Sequence, residues 1–282
     1  MPSLSYRQKR LLGQVAAYIV GAIIIIYCLS PIAWIFLTSI KPPGQEIEIP
    51  VRYLPSYISF ENYWGMINEI HFLSYLRNSV IIASLTTILV LALASLSAYA
   101  ISRLRFRFRT ASLLIILVVG MMPGIVMIAP VFFLIRELGL INSYLGIIIP
   151  HTIFALPVAV WLLASYFAQL PFDLEDAAKV DGYNPFQVYY KIVMPLSAPG
   201  LFSAGILAFI SSWGEFMFAL TITHTIEART ALVAIATLPG AFHLRWGWIC
   251  AGVVLSLIPV LIIVLVFQKW VIQGLTAGAV KY

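Results

Sequence analysis

The chain has 282 residues, of which 62% are hydrophobic and only 10% are charged, with a mean hydropathy of +0.99. Soluble domains run at about 45–50% apolar and about 25% charged, so a water-soluble enzyme is excluded, and the wealth of Leu, Ile, Val and Phe excludes a disordered chain. The net charge of +6, from 17 Lys and Arg against 11 Asp and Glu, sets topology in such a chain rather than marking a nucleic-acid partner.

Six apolar stretches reach the roughly 20 residues that a helix needs to cross a hydrocarbon layer of about 30 Å. They are residues 14–37, 79–101, 111–133, 143–167, 200–223 and 247–271. Backbone groups in lipid must pair within their own segment, and the runs do not alternate as barrel strands do, so the spans are predicted to be helices. The first follows a basic flank, Arg7-Gln8-Lys9-Arg10, but outlasts a signal-peptide core and ends without a small-x-small site. It reads as a retained span.

Residues 41–73 form a long link rich in Pro, Tyr and Glu, predicted to be a small external cap. The next link reads Arg103-Leu-Arg105-Phe-Arg107-Phe-Arg109, a basic run packed between two spans and read as a topological anchor. With alternate crossings, one side of the membrane collects eleven basic residues and the other six. The basic side is predicted to be cytoplasmic, with both termini on it. Pro31, Pro123, Pro130, Pro150, Pro157 and Pro259 fall inside or at the edges of spans and mark expected interruptions, Met121-Met122-Pro123-Gly124 foremost.

The link 169–199 carries the densest pattern. Asp173 is placed to cap a helix, with acidic residues in its first turn. Gly182 supplies a left-handed stop. Asn184-Pro185 restarts a second helix, and Pro195 and Pro199 end it. The expectation is a helical hairpin at the cytoplasmic surface, with Ala177 and Ala178 as a small-residue face open to close approach.

In the fifth span Glu215 is the sole predicted intramembrane acid, within Trp213-Gly214-Glu215-Phe216. Such a group faces a polar interior or a cavity. Trp213, Glu215 and Phe218 set an acceptor among aromatic planes and are candidates to line a substrate pathway there, Glu215 and Phe218 sharing a helix face. A structural hydrogen bond to a neighbouring helix is the competing reading for Glu215, and the expected role for His151. Cys28 and Cys250 read as buried small residues. Histidines and cysteines are scattered, so no metal site is expected. There is no G-x-x-x-x-G-K-[ST], G-x-S-x-G or H-E-x-x-H pattern, so neither ATP hydrolysis nor other catalysis is expected of this chain.

The run Asp176-Ala177-Ala178-x-x-Asp181-Gly182, followed by Phe186, Ile192, Pro195 and Pro199, resembles the EAA loop of ABC-importer permeases. Asp176 stands where that family usually has Glu, which keeps the charge and shortens its reach. The stretches Met122–Gly124, Arg136–Leu140 and Tyr144–Gly146, with the ending Gly274–Lys281, are similar to carbohydrate-importer permeases of the maltose-transporter G-subunit type. The resemblance implies an all-α integral membrane protein of the type I importer fold. It would have a basic flank at 1–13, a six-helix permease domain at 14–271 with a coupling loop at 169–199, and a cytoplasmic tail at 272–282. It further implies a bacterial inner-membrane location and four kinds of partner: a second six-helix permease, two ATPase subunits that bind ATP and Mg, an extracytoplasmic solute-binding protein and lipid. Leu174, Asp176, Ala177, Ala178, Asp181 and Gly182 would meet the ATPase. The substrate would be a di- or oligosaccharide or a polyol glycoside. A polyamine or amino-acid permease and a stand-alone secondary transporter are the alternatives, the latter needing no such loop.

Overall fold

A computed structural model describes residues 6–238 and 245–277, and these are helical with no strand. His243 and the ending 278–282 lie outside the described residues. The elements in chain order are α1 (Tyr6–Ser39), α2 (Glu61–Asn68), α3 (Phe72–Arg103), α4 (Arg109–Gly120), α5 (Gly124–Glu137), α6 (Tyr144–Phe167), α7 (Asp173–Val180), α8 (Pro185–Val188), α9 (Met194–Leu196), α10 (Ala198–Trp213), α11 (Met217–Ile222), α12 (Ala231–Ala236) and α13 (Trp246–Ala277). Within these, four helices are each long and apolar enough to cross a membrane, and two sharply bent pairs bring the number to as many as six.

The chain divides into two compact units, residues 1–71 with 238–255 and residues 72–237 with 256–282. In the first unit the most apolar stretch of α1 has no buried residue, as befits a helix whose solvent is lipid, and among its described residues only the last turn, at Thr38 and Ser39, is buried. Cys28 is therefore exposed rather than buried. The link after α1 is knitted by polar contacts. Lys41 Nζ donates to the Arg52 carbonyl at 2.7 Å and lies 4.6 Å from the Trp34 ring centre. Asn62 Nδ2 donates to the carbonyls of Ser39 and Lys41.

The second unit is built on α3, α6 and α10. Ala94 and Ala98 of α3, Ala155, Ala159 and Ala164 of α6, and Ala204 and Ala208 of α10 form its buried seam. Small side chains let helix backbones approach where lipid supplies no hydrophobic drive. The seam runs on into the link that follows α6 through Ala178, Val188, Tyr189 and Val193. A second cluster gathers Ile82, Ile135, Ile147, Phe218 and Ile222.

The third predicted span is two helices, α4 and α5, bent by 92°. Pro123 lacks an N–H, disfavours the helical region for the residue before it, and is itself extended at the N-cap of α5. The other prolines do not break their helices: Pro31, Pro130, Pro150, Pro157 and Pro259 all lie inside continuous ones. The fifth predicted span is also divided, with α10 ending at Trp213 and α11 starting at Met217.

Candidate functional site

The link after α6 folds as a hairpin with two unlike faces. α7 starts at Asp173, so the N-cap position falls to Phe172, with no side-chain cap. Asp173 is the first helical residue instead, where its charge still favours the helix dipole. Gly182 adopts φ +85°, which L side chains rarely tolerate. Asn184 and Gln187 close a reciprocal capping box on α8, each side chain accepting from the other's backbone N–H at 2.9 Å. A π turn at Tyr189–Val193 follows, and residues 185–196 meet α10 at 79°.

The outer face of α7 presents Leu174, Asp176, Ala177 and Val180, with Val180 87% exposed. Asp181 and Gly182 are exposed at its end. Asp176 accepts from Lys179 Nζ at 2.8 Å in an exposed pair, a contact of little net strength that a partner can exchange. Ala178 corrects the expectation of an open alanine pair. It is only 4% exposed and packs into the unit's core, because the 100° helical step turns it inward with Glu175, three residues earlier.

Glu175 was not among the expected site residues, and Arg103 was expected only as a topological anchor. The two form a buried ion pair, Nε to Oε1 at 3.0 Å, with side chains 0% and 7% exposed. The contact is off the N–H axis, a charge contact more than an aligned hydrogen bond. Arg103 Nη2 also donates to the carbonyls of Phe167 and Leu170, and the guanidinium lies over the Phe172 ring at 4.3 Å. Burial pushes the Glu175 carboxyl above its ordinary value, while Arg103 and then Lys179 pull it back. Two further residues of α3 hold the hairpin's second arm. Tyr99 Oη donates to the Pro185 carbonyl at 3.2 Å, and Ser95 Oγ and Tyr189 Oη share a hydrogen bond of 2.8 Å. Ser95, Tyr99 and Arg103 recur every fourth residue, a polar stripe in an apolar helix, and that spacing was the available sequence signal.

The fifth-span candidates have a different setting. Glu215 sits in the break between α10 and α11 rather than on a helix face shared with Phe218. Its Oε1 accepts from Phe218 N at 2.9 Å and its Oε2 from Ala219 N at 3.2 Å, so the carboxylate caps α11. Oε2 also meets His151 Nε2 at 2.9 Å, and His151 Nδ1 meets Ser212 Oγ at 2.8 Å. A carboxylate accepts, so the His151–Glu215 contact has the imidazole Nε2–H as donor. The order Ser–His–Glu is that of a hydrolase triad, but Ser212 is 5% and His151 3% exposed, so no substrate carbonyl reaches the hydroxyl. Phe218 is buried and stacks on Phe154 with centres 5.1 Å apart. Trp213 stacks on Phe209 at 5.6 Å. These residues close a gap in a helix. No group of three or more His, Cys, Asp or Glu placed to hold a metal ion occurs among the described residues.

Comparison with known proteins gives a consistent result. Residues 90–277 match the family model described as binding-protein-dependent transport system inner membrane component. The chain is 39% identical over 265 residues to the trehalose transport system permease protein SugB of Mycobacterium tuberculosis, covering 93% of this chain and 96% of that one. It is 40% identical over 267 residues to the trehalose/maltose transport system permease protein MalG of Thermococcus litoralis, covering 93% and 95%. Among solved structures, it superposes with a TM-score of 0.80 and 26% identity on a chain of a bacterial ABC transporter involved in the import of the acidic polysaccharide alginate, covering 95% of this chain and 99% of that one.

Proposed function

Because the chain belongs to the family of binding-protein-dependent transport system inner membrane components, we propose that it is the permease subunit of an ATP-driven carbohydrate importer whose α7–α8 hairpin takes up the force of a separate ATPase. Membership in that family makes the chain the membrane component of its system and not the part that hydrolyses ATP. ATP and Mg belong to the partner ATPases. The remaining partners are a second six-helix permease and an extracytoplasmic solute-binding protein. The hairpin lies on the cytoplasmic side of the bacterial inner membrane, with both termini.

The observation that carries this reading is the two-faced α7. Its inner face is fixed by Glu175 and Ala178, and its outer face leaves Leu174, Asp176, Ala177 and Val180 exposed. A lever needs both properties: a rigid hold on the membrane helices and a free surface for the motor, so that closure of the motor changes the relative energy of two membrane conformations. A carbohydrate substrate is supported by the relatives at 39% and 40% identity, each named as a permease for trehalose or for trehalose and maltose.

The test is uptake by proteoliposomes holding this chain with its partner permease, ATPase and binding protein, offered labelled di- and oligosaccharides, amino acids and polyamines. ATP-dependent uptake of a saccharide is expected. Uptake confined to an amino acid or polyamine overturns the substrate class, and uptake by this chain alone without ATP overturns the mechanism.

A further inference from the structure

The hairpin is joined covalently to α6 and α10, yet its polar contacts go to α3. The far end of α3 holds an equally closed polar cluster. Asn78, fully buried, donates from Nδ2 to the carbonyls of Ile226 and Arg229 at 2.9 and 3.0 Å, and its Oδ1 accepts from Tyr144 Oη at 2.7 Å. Ser79 Oγ accepts from Ala231 N at 2.8 Å. Both ends of α3 are thus tied to both ends of α6: Asn78 to Tyr144, its first residue, and Arg103 to Phe167, its last. At about 1.5 Å per residue the two ties on α3 stand about 37 Å apart. Each helix is continuous between its ties. The alternative route through α10 is interrupted twice, by the π turn and 79° bend before it and by the break at residues 214–216 after it.

From this geometry we infer that α3 and α6 form one rigid strut that carries hairpin movement to the loop 224–231 on the opposite side, with Arg103 and Asn78 as its positioning residues. This rests on the reading that the hairpin docks an ATPase. Arg103 fixes the lever because one guanidinium holds the end of α6, the linker and the first turn of α7 together. Removing one member of a buried pair leaves an uncompensated charge. Asn78 gives the loop the same fixed register at the other end, since an amide both donates twice and accepts.

The experiment uses the whole assembly in proteoliposomes with its substrate-loaded binding protein. Glu175→Gln and Asn78→Ser are made singly and together. ATPase stimulation by the binding protein is read against each variant's own basal rate, along with substrate imported per ATP consumed. Each single variant is expected to lower stimulation by about five-fold or more, the lower end of ordinary coupling energies, and the double variant to fall no further than the weaker single. Unchanged stimulation in either single variant, or single effects that multiply in the double, overturns the strut. If Asn78→Ser does not assemble, Ser79→Ala removes only the bond to Ala231 and is expected to give a smaller loss in the same direction; full stimulation there overturns the proposal. A Val180→Cys cross-link to the ATPase, measured in parallel in the otherwise unaltered assembly, tests the docking itself. Its presence with an intact stimulation phenotype refutes the strut alone, and its absence refutes the docking.

Discussion

The α7–α8 hairpin and the α10–α11 break both set carboxylates into an otherwise apolar helical unit, and they treat them in opposite ways. At the break the polar groups pair with one another: Glu215 caps α11 and meets His151, which meets Ser212. At the hairpin the polar groups divide, with Glu175 closed on Arg103 while Asp176 and Asp181 stay at the surface. An acid whose hydrogen-bonding capacity is used up inside the chain serves the fold, whereas one left on an exposed helical face is available to a second protein. By that criterion the contacts of Glu215, Trp213 and Phe218 serve the break, and the exposed face of α7 is the one that suits the proposed ATPase.

The largest effect that separates the two regions is expected at Gly182. Gly182 and Gly139 both have positive φ, +85° and +67°, and an added Cβ meets nothing within 4 Å at either. A side chain at each position therefore brings similar left-handed strain, about 1–2 kcal/mol, with no clash. Only Gly182 ends the proposed lever. Gly182→Val is expected to reduce ATP-dependent uptake at least about tenfold, and Gly139→Val to retain most of it in the same proteoliposome assay. Equal losses in the two variants would show that backbone strain alone is being measured.

Next in size is Glu215→Gln. The amide keeps the shape but loses the charge that strengthens three hydrogen bonds, and hydrogen bonds to charged groups contribute about 1.5–3 kcal/mol. A drop of several degrees in the thermal midpoint of the detergent-solubilised assembly is expected, with the order of preference among sugars unchanged. An altered sugar preference at an unchanged midpoint would move Glu215 out of the fold and into the substrate path. Lys179→Ala sharpens the contrast from the other side. It deletes an exposed pair with Asp176, so stability is expected to move by less than about 0.5 kcal/mol in the same thermal assay.

Much of this was legible in the sequence, and the failures have physical causes. Hydropathy located the spans because lipid imposes length and composition. Gly182 and the Asn184-Pro185 cap were readable because backbone conformation at a turn is local chemistry. The bend after Gly120 falls at Met121-Met122-Pro123-Gly124, where an interruption was expected, whereas the break at residues 214–216 was missed because Glu215 read as one polar residue on a continuous helix rather than as the cap of a second one. Proline was a poor guide, marking the bend at Pro123 and none of the other five. The buried Arg103–Glu175 pair and the Asn78 cluster went unseen because each joins residues more than 60 apart in the chain. A basic residue beside Arg105 and Arg107 looks like one more topological charge until its partner is known.

The smallest effect concerns pH and tests whether burial or pairing governs Glu175. Burial is the larger influence and raises its pKa in the folded chain above the ordinary value of 4.5; the Arg103 guanidinium opposes this without overcoming it. A raised folded value means that the folded chain holds the proton more tightly than the unfolded one. Stability from this group is then fully present below the ordinary carboxylate range. It declines as pH rises from there through the raised folded value, and above that it is constant. Glu175→Gln cannot ionise and so removes this contribution. The difference in thermal midpoint between parent and variant is expected to shift against the parent as pH rises through that window. A difference that moves the other way would mean that attraction to Arg103 outweighs burial, and that the pair stabilises the hairpin by its charge rather than merely fixing its place. That outcome would bring the hairpin's inner face closer in character to the closed network around Glu215, where charge and hydrogen bonding together hold the helix break.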